Sequence, residues 1–484
     1  MPILQRKALL LAALAALSIA TPVGAQRAEL FHERVRQYVV HDAPVIRIDS
    51  VRIVDGTGAP ARPAQSVLIR DGRIARVGAT AAVAEEKADV IIDGKGRTLI
   101  PGLVMVHEHL FFIDVLADVP NYGGEPLSAP RAYLAFGATT IRTAGTMNGN
   151  DDIQAARMIR EGMFAGPEIL VTAPFVNGPG SFAYQLRPIT EPEDARRIVR
   201  FWADEGATSY KIYQNISRNA LAVAIEEAHR LDRKVTGHLC SITFREAAAL
   251  GIDNLEHGIA VASDFVRDKK PDQCPTREAS EDGMLAVAPD GPEVKEVIAA
   301  LLERNVAVTS TLAVLAAGNV DWFPGVDDLT LLNVQSNKAA LKNLERIRGN
   351  AEKRDKALRV LKREMQFEKA FVGAGGTLLV GTDPTGWGGT VPGFGNHAAL
   401  RLLGEAGFAP LDVIRIGTSE GARYLGIFDR VGSIAPGKQA DMILIDGKPD
   451  EDLKDLSRVD LVFKNGIGYD SKKLIESVRG KIGR

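Results

Sequence analysis

Residues 103–110 read LVMVHEHL. Side chains two apart in a strand share a face, so His107 and His109 can point the same way. Two imidazoles on one face can ligate a divalent ion, although an isolated His-x-His pair is as readily a core or surface feature. Further along, YKIY carries Lys211, TGHL carries His238, LEHG carries His257 and VGTDP carries Asp383. Each falls near the end of a short apolar run that reads as a buried strand. Taken singly, these residues have plain explanations. A strand-end lysine reaches solvent along its stem, and an aspartate before proline caps a turn. A lysine that stays buried is different, because an unpaired ammonium must find a partner or lose its proton. Four imidazoles, a lysine and a carboxylate at the same end of several strands form a donor set suited to zinc or a similar first-row ion. One tetrahedral catalytic zinc with an open position uses fewer ligands, so two divalent ions fit better.

Eight strand candidates supply these positions: 103–110, 138–144, 168–174, 208–213, 234–239, 253–258, 306–312 and 377–383. Helical stretches such as PEDARRIVRFWADEG and LAVAIEEAHRLDR intervene, their apolar residues three and four apart. This alternation predicts an α/β protein with a (β/α)8 TIM-like barrel over residues 101–428, a doubly wound open sheet being the alternative. Barrel enzymes carry their chemistry at the C-terminal ends of the strands, where the candidate ligands lie. Residues 45–100 instead alternate apolar and polar side chains around Asp-Gly pairs at 55–56, 71–72 and 93–94, a hairpin signal. The texture returns within 429–484, which predicts a small β-sandwich built from both flanks. Two connections exceed what a barrel needs: 259–296, polar and turn-rich, and 313–375, charged and mostly helical.

The chain has 484 residues, 45% hydrophobic and 25% charged, enough for one large domain or two. Its 59 basic and 61 acidic residues leave a net charge of −2. That balance gives no case for nucleic acid or an anionic membrane surface as partner. MPILQRKALLLAALAALSIATPVGAQ has the layout of a secretory signal peptide cleaved after Ala25, which predicts an exported, periplasmic or secreted protein with no membrane anchor after cleavage. Cys240 and Cys274 are the only cysteines. They allow either one disulfide or two buried thiols, and exclude a cysteine-rich metal site.

The order PGL-x3-HEH, YKIY, TGHL, LEHG and GTD resembles the amidohydrolase superfamily, in its binuclear subtype with a bridging lysine. The flanking β segments and the closing GSIAPGKQADMILID are similar to the same proteins, so the likeness covers almost the whole mature chain. The resemblance implies that Lys211 is carboxylated by CO2 to a carbamate bridging two ions, most often Zn2+. It implies that His107, His109 and Asp383 bind the more buried ion and His238 and His257 the more exposed one. A hydroxide shared by the metals would be the nucleophile, with Asp383 moving its proton to the leaving amine. Within the superfamily the chain is most similar to the imidazolonepropionase-like group, with its Xaa-Pro dipeptidases, N-acyl-amino-acid hydrolases and ochratoxin-degrading amidohydrolases. This implies hydrolysis of a small-molecule amide, either a dipeptide or an N-acyl amino acid. The alternatives are a lactonase or esterase on the same metals, a mononuclear deaminase-like or cyclic-amide hydrolase, and a non-catalytic binding relative. A substrate carboxylate needs a receptor, and Arg142, Tyr184, Arg187, Tyr213 and His397 are the candidates. His32, His41 and His229 read as structural, and a homo-oligomer is left open.

Overall fold

Eight runs of β-branched and aliphatic residues form the parallel strands β1 (Leu103–Glu108), β2 (Ala138–Thr143), β3 (Glu168–Leu170), β4 (Ser209–Ile212), β5 (Lys234–Gly237), β6 (Asn254–Glu256), β7 (Ala307–Ser310) and β8 (Leu378–Val380). Most are buried on both faces, which is why the sequence shows near-continuous apolar runs here instead of alternation. The computed structural model describes residues 27–115, 120–180, 183–317, 326–386 and 390–484; the expected signal peptide at 1–25 lies outside them. Strands β1–β3 pair in one parallel set and β4–β8 in another. Bridges from Thr172 to Ser209 and from Val176 to Ile212 join β3 to β4. At the other seam, Thr382 and Asp383 both donate their N–H to the His107 carbonyl, at 3.1 and 3.0 Å. The ring of strands is the expected (β/α)8 barrel. Gly381 makes the last seam possible, because a Cβ there would lie 2.2 Å from the His107 Cβ.

The helices cover the outside of this ring. Pro192 opens the helix Pro192–Asp204, and Glu191 and Asp194 close a reciprocal capping box there. Thr243 and Glu246 do the same for Phe244–Leu250, which follows β5. The two long connections carry more helix than one of them promised. Residues 259–296 include Arg277–Ala286 and the start of Pro292–Glu303, while 313–375 hold Val334–Arg348 and Ala351–Gly373.

The two flanks share one nine-stranded sheet. Met442–Ile445 runs antiparallel to Thr98–Pro101, stitching the end of the chain to its beginning. Ile46, Ile48, Ile53, Val67, Leu99, Met442 and Phe463 bury a common core against it. Two details differ from the sequence expectation. Val39–His41 joins the sheet as an edge strand on Ile467–Asp470. Residues beyond 470 leave it: Ser471 donates its hydroxyl to the Ala135 carbonyl at 2.7 Å, and Ile482 bridges to Leu332. Among the described residues, no helix is long and apolar enough to cross a membrane.

Cys240 and Cys274 form a disulfide, resolving the choice the sequence left open. It closes a loop across a sequence separation of 34, tying the segment after β5 to the long connection after β6. Loop-closure entropy for a span of this kind corresponds to about 3–4 kcal/mol of stabilisation. Reduction should therefore raise the intact mass by two hydrogens and lower the thermal midpoint. An unchanged mass would show free thiols.

Candidate metal centre

Strand alternation turns His107 and His109 into the barrel mouth and sends Glu108 outward. There Glu108 accepts hydrogen bonds from the Thr382 N–H at 3.1 Å and Asn396 Nδ2 at 2.7 Å, fastening β1 to the segment after β8. Burial pushes the Glu108 carboxyl up to about 8. His107, His109 and Asp383 offer ligand atoms all within 4.8 Å of one another. The Asp383 Oδ1 lies 3.1 Å from His109 Nε2 and 3.7 Å from His107 Nε2, and its Oδ2 lies 3.9 Å from His257 Nδ1. The His257 ring stands 4.7 Å from that of His107 and 4.5 Å from that of His238, centroid to centroid. The five residues thus form one contiguous group.

Two of them sit in left-handed backbone, His257 at φ +68° and Asp383 at φ +56°. Non-glycine residues take this conformation rarely, with His and Asp among the more tolerant, and it recurs at functional sites. At His257 it breaks the strand's alternation, so that Glu256 and His257 both reach the lumen. The glycine of LEHG has its own reason: a Cβ on Gly258 would lie 1.6 Å from Glu364 Oε1.

Lys211 is 1% exposed on β4. Its Nζ has no hydrogen-bond partner, and Glu256 Oε1 lies 3.6 Å away. Burial lowers its pKa to about 8, against the opposing charge of Glu256 and with added repulsion from Arg142. Burial also lowers the pKa values of His109 and His257, and takes His238 down to about 3 with help from Lys211. These imidazoles are neutral, as metal ligation requires. For Asp383, burial alone would raise the pKa, but the neighbouring His107 and His109 hold it well below the usual carboxylate range.

The donor set fits a metal on its own geometry. His109 Nδ1 lies 3.0 Å from the Gly145 carbonyl and must donate to it, leaving Nε2 as a lone pair. With Nε2 unprotonated, that lone pair faces a carboxylate oxygen at 3.1 Å, an arrangement that a metal ion held by both would satisfy. Partners also hold two other rings: Glu256 Oε2 at 2.7 Å on His107 Nδ1 and Thr311 Oγ1 at 2.8 Å on His257 Nδ1, while Gln214 Nε2 lies 3.0 Å from His238 Nε2. The orphaned Lys211 Nζ suits conversion to an anionic carbamate, which two cations would neutralise.

The expected substrate contacts fare unequally. Tyr213 stands beside the cluster, its ring 4.8 Å from His238 and 5.0 Å from Phe175. Burial pushes its phenol pKa well up, so it remains a proton donor. Arg142 is corrected: it is 1% exposed, and its Nε and Nη2 are engaged by the Val106 carbonyl at 2.7 Å and Glu256 Oε1 at 2.6 Å. Two of its three nitrogens are thus committed to the barrel interior, and Nη1 is buried without a hydrogen-bond partner. His397 is corrected too. It lies in helix Phe394–Glu405 with Nε2 2.7 Å from the Phe136 carbonyl, behind β2, and burial lowers its pKa to about 4. Tyr184 is 69% exposed and donates its hydroxyl to Asn121 at 3.2 Å, and Arg187 is exposed. Neither makes a contact with the histidine cluster. Sequence reasoning passed over Glu256, Thr311 and Gln214. A lone carboxylate in a fully buried strand, with a lone arginine in the equally buried TTIRT, was the available signal for the first.

A parallel barrel with a His-His-Asp cluster at its mouth defines a metal-site barrel protein. The amidohydrolase family model matches residues 98–467, and the chain belongs to that family. An imidazolonepropionase of Mycolicibacterium smegmatis is 34% identical over 99 residues, which is 20% of this chain and 24% of that protein. The structure of a Xaa-Pro dipeptidase with methionine in its active site superposes with a TM-score of 0.66 at 21% identity, covering 88% of this chain and 100% of that one. A bottromycin amidohydrolase gives 0.69 at 20% identity over 94% and 96% of the two chains.

If Lys211 bridges two ions, as the resemblance implies, replacing it by alanine should strip most bound metal while leaving the fold intact. Metal analysis against circular dichroism checks this. Full stoichiometry in the variant would contradict a bridging lysine.

Proposed function

We propose that this protein is an exported, metal-dependent hydrolase that cleaves the amide bond of a dipeptide or N-acyl amino acid. The observation that carries the reading is the convergence of His107, His109, His238, His257 and Asp383 around a buried Lys211 whose Nζ has no hydrogen-bond partner. Family membership supports the reaction class, and the disulfide supports an oxidising compartment.

In this reading His107, His109 and Asp383 would hold one divalent ion, His238 and His257 would hold a second, and a carboxylated Lys211 would serve both. When bound, the ions supply an acidified water and an electrophile for the scissile carbonyl. The chain's own residues do the rest. Asp383, ionised and at the mouth, accepts the proton of the attacking water on a carboxylate oxygen and passes it to the leaving nitrogen. Tyr213 donates its phenolic hydrogen toward the carbonyl oxygen as charge builds there. Phe111, Phe175 and Tyr122, clustered beside His109, wall off that side from water.

The test joins two measurements on the purified mature protein: metal content, and hydrolysis of a panel of Xaa-Pro dipeptides, N-acyl amino acids and isosteric esters. The expected result is about two divalent ions per chain and amide cleavage that a chelator abolishes. One ion or none after refilling would overturn the binuclear reading, and ester cleavage without amide cleavage would replace the reaction. Asp383→Asn should keep substantial metal yet lose turnover by about 10²-fold or more, because an amide cannot carry the proton. Normal turnover would remove Asp383 from proton transfer.

A further inference from the structure

Beneath the histidines, Glu256 gathers four groups from four strands. Its Oε2 takes His107 Nδ1 of β1 at 2.7 Å. Its Oε1 takes Arg142 Nη2 of β2 at 2.6 Å and Thr236 Oγ1 of β5 at 2.5 Å, and faces Lys211 Nζ of β4 at 3.6 Å.

We propose that Glu256, anchored by Arg142, is the positioning residue that presents His107 to the metal and leaves Lys211 unclaimed. This rests on the metal-site reading above. An acceptor at Nδ1 makes that nitrogen the protonated one, so His107 Nε2 becomes the lone pair on the side of Asp383. Arg142 cannot follow a moving carboxylate, because its Nε is fastened to the Val106 carbonyl. Glu256 therefore stays where it is. Oε1 already meets two donors, and 3.6 Å to Lys211 is beyond a hydrogen bond. The carboxylate is near enough to hold the lysine's position by charge and too committed to capture its nitrogen. A carboxylate without the Arg142 and Thr236 contacts would close on Lys211 as a tight ion pair and tie up the atom that must become the bridge.

The test uses the full mature chain, stripped of metal and titrated with Co2+ against a competing chelator. Glu256→Gln places an amide where several donors converge, so one of them must face an NH2. The expected result is about 10–100-fold weaker cobalt affinity, a changed visible cobalt spectrum, and a histidine tautomer shift in the 15N spectrum of the metal-free chain. Thermal unfolding confirms that the variant is folded. Where Glu256→Gln fails to fold, the gentler Thr236→Val decides, with an expected loss of about threefold or more and a spectral change in the same direction. Wild-type affinity and an unaltered spectrum in the deciding variant would overturn the role of Glu256 while leaving the metal site standing. A wild-type chain that binds no cobalt would overturn the metal site and this role with it.

Discussion

The seam between β8 and β1 is the constraint on which the site depends. The Thr382 and Asp383 N–H groups share one acceptor, the His107 carbonyl. This holds the aspartate against the two histidines of the first strand. The contact requires that position 381 carry no side chain and that Asp383 take left-handed backbone. Closure of the barrel and assembly of the His-His-Asp group are thus one event. A barrel slipped by one residue at this seam would turn the ligands of one strand outward while those of the other stayed in place.

Below the seam the problem is electrostatic. Lys211, Arg142, Glu256, His107, His109 and His257 are all buried here, with Asp383 and His238 half-buried at the rim. Such a group survives only if nearly every polar atom has a partner, because removing one member of a buried pair typically costs 3–5 kcal/mol. Glu256 supplies most of the partners. The atoms it does not satisfy are Lys211 Nζ and Arg142 Nη1. As an ammonium, Lys211 has Glu256 Oε1 at 3.6 Å, beyond hydrogen-bond distance, while the charge of Arg142 opposes it. An anionic carbamate on this lysine, as proposed above, would turn the interaction with Arg142 from repulsion to attraction.

Much of this was legible in the sequence, and for a physical reason. Parallel barrel strands are short, apolar and buried on both faces, so a His, Lys or Asp at their ends stands out against the background. All eight strands lie within the runs that the pattern marked, and the ligand candidates fall at their C-terminal ends. The misjudgements share a cause as well. Arg142 was read as facing substrate because it ends a strand, but reach depends on layer depth, and its guanidinium lies in the barrel interior. His397 was placed by closeness in sequence to β8, whereas the turn of its helix sends the ring behind β2. Glu256 was hidden because strand alternation assigns adjacent residues to opposite faces, and the left-handed turn at His257 suspends that rule. Single-residue backbone conformations of this kind leave almost no trace in composition or periodicity.

The connection after β6 shows how far the site extends beyond its ligands. The disulfide brings both sulfurs beside the Gln214 carbonyl, at 3.7 and 3.2 Å, while the Gln214 side chain holds His238. Lys269 from the same connection donates to the Ser241 carbonyl at 2.6 Å, and Asp264 accepts from the Phe244 N–H at 2.7 Å. A covalent link and two polar ties thus bind the loop to the residues just past β5. The His238 ring is steadied from the rim by Gln214. The more exposed half of the site is therefore held by a stapled loop and the more buried half by the barrel itself.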